Sequence, residues 1–124
     1  MNTNPFAQEY NDLRWGTLMP VWVKVGAEVV QVRARGTCSV SVVDPSKAAG
    51  EVENPEDLEG YLRSQAAAVV TDVIGERARQ VPDVLHLTTI SPETVQLFQE
   101  KLDARCSAFG LKLKSVRIEA LERV

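Results

Sequence analysis

The sequence predicts an α+β fold: a mainly antiparallel sheet, made of a hairpin and a C-terminal strand, packed against two principal helices. Three observations carry this. Two valine-rich alternating runs meet across Gly26-Ala27. Two stretches with helical spacing each open on a polar residue, a proline and an acid. A last alternating run, Leu111 to Leu121, follows Gly110. With 124 residues and no internal repeat or linker, residues 1–124 read as one domain. At that length folding hides roughly two-thirds of the unfolded chain's surface, so a core needs no metal or disulfide staple.

The hairpin comes first. Met19 to Val25 meets Glu28 to Val43, and a two-residue turn with glycine leading has type II′ chemistry. If Val25 faces Glu28, then Val23 faces Val30 and Val21 faces Val32 on one side. Trp22 with Gln31 and Lys24 with Val29 fall on the other, so the sheet is half-buried. The second run is long. Val30, Val32, Ala34, Cys38, Val40 and Val42 hold its apolar phase; Gln31, Arg33, Arg35, Thr37, Ser39 and Ser41 hold the polar one. Gly36 sits in the apolar phase and marks a bend, a bulge or a close backbone approach. At about 50 Å of strand rise, the far half must pair with something other than its hairpin partner.

Asp44-Pro45 ends that strand, and a short helical turn is expected over Ser46 to Val52. Asn54-Pro55-Glu56-Asp57 then predicts a helix start, with Asn54 as cap, proline at the first position and two carboxylates at the positive end of the dipole. Leu58, Tyr61, Leu62, Gln65, Ala66, Val69, Val70, Val73 and Ile74 form its apolar stripe, which runs to about Gln80 before Pro82. Val81 to Ile90 reads as a connection. Ser91-Pro92-Glu93 opens the second helix, with Val95, Phe98, Leu102, Cys106 and Phe109 on its buried face. Gly110 stands where a left-handed cap belongs. In the last strand Leu111 and Leu113 hold one phase, and Val116, Ile118 and Ala120 the other, which predicts a bulge near Ser115. The expected order is strand, strand, helix, helix, strand.

Composition excludes several functions. A net charge of −3 gives no electrostatic footprint for nucleic acid. No apolar run approaches the roughly 20 residues that span a bilayer, and Met1 to Asp12 carries no signal-peptide pattern. The chain itself is therefore expected to be soluble. The seven glycines never cluster into a phosphate-binding loop.

Catalytic candidates are few. A nucleophile–histidine scheme must use His86, the single histidine, which lies in Asp83-Val84-Leu85-His86-Leu87 without a nucleophile pattern and reads as an ordinary loop residue. Cys38 and Cys106 are either a disulfide pair or two buried thiols acting as small hydrophobes, and no zinc-ligand spacing accompanies them. Glu51, Glu53, Glu56, Asp57 and Glu59 form an acidic cluster that does not match a calcium loop; it reads as a cation site or as helix-dipole and solubility charge. Arg33 and Arg35 share a strand face, either as solvated charge or as a receptor for an anion. Trp15 and Trp22 are interface anchors or structural residues. No catalytic, cofactor-binding or metal-binding residue is assigned, and no enzyme activity is expected; a hydrolase using His86 is the third alternative.

Arg14-Trp15-Gly16-Thr17, the strand Arg33-Ala34-Arg35-Gly36-Thr37-Cys38-Ser39-Val40, and Asp44-Pro45 together resemble the stomatin–prohibitin–flotillin (SPFH, band-7) family. More narrowly they resemble its bacterial virion-core-protein-like branch. The likeness continues through Glu56-Asp57-Leu58, Leu62-Arg63-Ser64 and Phe109-Gly110-Leu111-Lys112-Leu113. Cys38 departs from it, standing where relatives carry an aromatic. The chain also looks as though it starts partway into the family domain, without the strands upstream of Trp15.

The resemblance implies a non-catalytic, oligomerising scaffold domain of a membrane-associated protein. Some relatives regulate membrane proteases or organise membrane microdomains. The implied setting is cytoplasmic and peripheral to the inner membrane, with attachment through segments outside this chain. The implied partners are further copies of the chain and a membrane protease or other membrane protein, with no cofactor. The alternative is a binding module that reads anionic lipid or an acidic partner through Arg33 and Arg35.

Overall fold

A computed structural model of the chain describes residues 6–124. In order these form β1 (Glu9–Gly16), β2 (Val21–Val25), β3 (Glu28–Val42), α1 (Pro45–Glu51), a 3-10 turn (Pro55–Asp57), α2 (Leu58–Gln80), α3 (Val84–Thr88), α4 (Pro92–Ala108) and β4 (Leu111–Arg123). The α+β expectation holds, with all four strands in one antiparallel sheet.

β3 is the axis of that sheet, because each other strand pairs with it. β2 takes its first residues in the expected register: Val25 faces Glu28, Val23 faces Val30 and Val21 faces Val32. Gly26 supplies the positive φ (+59°) that a leading-glycine turn needs. Beyond it, β1 lies along Arg35–Ser41 on one side and β4 lies along Val32–Val42 on the other. The far half of the long strand therefore finds two partners. One is β1, a strand missing from the expected order. Its residues Glu9, Asn11, Asp12 and Arg14 are exposed and polar, and a bulge after Tyr10 breaks its alternation, so period-2 patterning hid it. With β1 and β4 in place, β3 presents no open edge over Arg35–Ser41.

β4 carries two irregularities. One leaves Lys114 unmatched between Leu113 and Ser115, where the phase change predicted a bulge; the other leaves Glu119 unmatched between Ile118 and Ala120. The second returns the apolar phase to Leu121, which is buried with Ile118. Gly36 faces the inner layer beside this second bulge. A Cβ there would collide with the Arg117 carbonyl oxygen and stand 2.6 Å from Trp15 Cζ2. The close approach expected at Gly36 is thus real.

The helices cover one face of the sheet. Leu62, Ala66, Val70 and Val73 of α2, with Phe98 and Leu102 of α4, meet Val30, Val32, Val40, Leu111 and Ile118 in a continuous buried core. Each fully buried large side chain contributes about 1.5–3 kcal/mol. Trp15 joins edge-on to Phe98, with ring centroids 4.8 Å apart at 86°. Ser91 caps α4 through its hydroxyl, accepting from Thr94 N–H, and Gly110 ends the passage into β4 at φ +80°.

Three local expectations need correction. Asn54 does not cap α2 with its side chain; residues 55–57 make a 3-10 turn first, and the helix proper begins at Leu58. Asp44 does more than end a strand, since its carboxylate accepts from Lys47 N–H and caps α1. Val81 to Ile90 is not plain connection, because it holds α3, capped by Asp83 accepting from His86 N–H. One turn of helix is too short to show periodicity.

Candidate functional site

Because strand side chains alternate, covering one face with helices leaves the other to solvent. On β3 that outer face carries Val29, Gln31, Arg33, Arg35, Thr37, Ser39 and Ser41. Register then brings neighbours from three strands. Arg14 of β1 and Arg117 of β4 flank Thr37, Gly16 and Ala120 flank Arg35, Glu122 faces Arg33, and Lys112 faces Ser41. On β2, Trp22 lies opposite Gln31 and Lys24 opposite Val29.

The row Gly16–Arg35–Ala120 decides the shape. A long cationic side chain stands between two residues with almost no bulk, so the face dips into a shallow concavity of about 460 Å³. Thr17 holds the rim: its N–H donates to the Ala34 carbonyl at 3.0 Å, and its Oγ1 accepts from Ala34 N–H at 3.3 Å. At one end Arg33 is held by Glu122, with Nη2 3.3 Å and Nε 3.4 Å from Oε2. At the other, Lys114 of the β4 bulge bridges to Glu9 at 3.0 Å. Arg14, Lys24, Arg35, Lys112 and Arg117 make no ion pair among the described residues. The face is thus basic, with both of its paired carboxylates already engaged. The two arginines singled out by sequence do share it, but they differ: Arg33 is neutralised and Arg35 is free. Arg14 and Arg117 escaped notice because only the cross-strand register brings them beside Arg35.

The two tryptophans separate. Trp15 is buried, 4% exposed, and is a core residue. Trp22 is 66% exposed on the outer face, diagonal to Val29, itself 63% exposed. Leu18 and Met19, in the connection before β2, add further exposed apolar surface.

The remaining candidates do not assemble into a reactive centre. His86 lies in α3 rather than in a loop, and its Nδ1 is 2.6 Å from Asp83 Oδ1 on the exposed side of the helix. The hydrogen bonds from the His86 backbone and ring hold the Asp83 carboxyl below its usual value. Cys38 and Cys106 are free, buried thiols. Burial pushes them up to about 11 and about 12, so both are protonated and unreactive near neutrality. In the acidic cluster, Glu51 accepts from the Tyr61 hydroxyl at 3.0 Å and Glu59 bridges to Arg63 at 3.6 Å. Among the described residues no group of three or more histidine, cysteine or carboxylate side chains is placed to hold a metal ion. No helix of the described residues is long and apolar enough to cross a membrane.

A strand–hairpin–helix order with a central long strand, and a glycine crossing beneath a tryptophan, agrees with the sequence resemblance. The family model described as SPFH domain-Band 7 family matches residues 4–123. The chain belongs to that family. Comparison with curated proteins finds no match. As an SPFH domain, the chain owes its likeness to the whole β-and-helix framework and not to a reactive constellation, since the match runs from before β1 to the end of β4.

Proposed function

We propose that this SPFH domain is a non-catalytic scaffold that self-associates, and that it does so through its outer sheet face. One observation carries the reading: a four-stranded sheet is helix-covered on one face only, and the open face bears an exposed tryptophan at its hairpin end and unpaired arginines further along β3. Tryptophan and arginine are the residues most enriched where protein surfaces bind tightly. Trp22 and its diagonal neighbour Val29 leave exposed apolar area that a partner would cover. Edge-to-edge strand pairing is the weaker route. β4 has two bulges and Lys112, Lys114 and Arg117 along it, and β1 is bulged at its polar start, which are the devices that blunt an edge.

On this reading the full-length protein works at the cytoplasmic side of the inner membrane, attached by segments outside this chain. It regulates a membrane protease or organises membrane microdomains, as some relatives in the family do. A second reading, a module for anionic lipid or an acidic partner, is favoured by the unpaired Arg35 in its concavity. Light scattering over a wide concentration range tests the first. A mass that rises to a discrete multiple of the chain supports it. A monomer at every concentration overturns it and leaves the second reading standing.

A further inference from the structure

The charges that make no ion pair among the described residues concentrate in two places. Of the eight lysines and arginines without an ion pair among the described residues, five, Arg14, Lys24, Arg35, Lys112 and Arg117, lie on the outer sheet face, and Lys47, Arg77 and Arg79 lie on helices. Of the ten Asp and Glu side chains without an ion pair among the described residues, four, Glu51, Glu53, Glu56 and Asp57, lie within seven residues from the end of α1 to the start of α2. That acidic segment is fixed on the helical side, because Ala48 before it and Leu58 after it are both fully buried in the core. Its carboxylates therefore point away from the sheet, and a single chain cannot lay its own acidic segment on its own basic face. Two chains can.

We propose that the outer sheet face of one copy receives the acidic segment 51–57 of a second copy, with Arg35 and Arg117 as the principal receptors. The proposal rests on the scaffold reading and names its contact. Arginine is suited to it, since a guanidinium takes a carboxylate through two parallel hydrogen bonds. The concavity flanked by Gly16 and Ala120 gives an incoming carboxylate access to Arg35 from above. Trp22 and Val29 at the hairpin end supply apolar area beside the charges. Since donor and acceptor patches differ, the contact is heterologous. Each dimer keeps one free basic face and one free acidic segment, so assembly continues head to tail until a ring closes.

Charge reversal tests it in three preparations: R35E/R117E, E53K/E56K, and the two mixed in equal amounts. All four positions are exposed, so the variants are expected to unfold at the wild-type temperature. Light scattering should show each variant associating at least about tenfold more weakly than wild type. The mixture should regain association, because the intact basic face of one variant meets the intact acidic segment of the other, and the reversed face and reversed segment are again opposite in charge. Added salt should weaken wild-type assembly. Variants that keep the wild-type mass overturn the contact while leaving the scaffold reading intact. Monomeric variants whose mixture stays monomeric also overturn it. So does binding of phosphatidylserine vesicles that R35E/R117E loses while E53K/E56K assembles normally, which assigns the face to a membrane. A wild-type chain that is monomeric throughout removes the contact and the scaffold reading together.

Discussion

At the scale of single residues, Gly36 has the least freedom to change. It lies on the buried phase of β3, where every other position carries a side chain, and there Trp15 and the Arg117 carbonyl take up the space a Cβ needs. Neither neighbour can retreat cheaply: Arg117 contributes backbone of a paired strand, and Trp15 is locked against Phe98. Gly36→Ala is therefore expected to lower stability by about 3 kcal/mol, the upper range of overpacking effects. Urea unfolding measures it, and a loss under about 1 kcal/mol would show that β4 can move aside. The sequence flagged this glycine because it interrupted an apolar alternation. The identity of what presses on it was not legible, since Trp15 and Arg117 lie 21 residues before and 81 after.

Elements differ in how much local sequence determines them. The hairpin register, the end of α2 and the start of α4 were legible, because each depends on near neighbours: a two-residue turn, a 3.6-residue stripe, a serine cap before proline. β1 and α3 were not. β1 is a strand only because β3 offers it a partner, and α3 is one turn fixed by Asp83 and by Leu87 entering the core. The outer face was half legible for the same reason. Alternation places Arg33 and Arg35 together, but Arg14, Arg117, Gly16 and Ala120 join them only through pairing. Within α2, Gly60 and Gly75 have no packing reason to be glycine, since a Cβ at either meets nothing within 4 Å. Gly60→Ala and Gly75→Ala should each stabilise the domain by about 0.5–1 kcal/mol through helix propensity. Thermal unfolding should show a raised midpoint for both, and a lowered one would mean that these positions face a contact this single chain does not contain.

For the whole molecule, the two buried thiols tie stability to alkaline pH. Cys38 on β3 and Cys106 on α4 belong to the same core, so both become solvated only when the sheet and helices separate. In the unfolded chain a thiol ionises near its ordinary value of 9.0, whereas burial holds these at about 11 and about 12. Below the ordinary value both states keep the protons, and pH has no effect through these groups. Above it the unfolded state releases protons that the folded state retains, so stability falls as pH rises, by up to about 1.4 kcal/mol per pH unit for each thiol. Urea unfolding from about pH 8 to about pH 10.5 should trace that decline. Other effects of alkali act on both proteins alike, so the comparison is with Cys38→Ala/Cys106→Ala. That variant loses some packing at every pH, yet its stability should decline less steeply above pH 9. Equal slopes in the two proteins would mean that the core admits water before it opens, and that the sheet and its helices do not unfold as one unit.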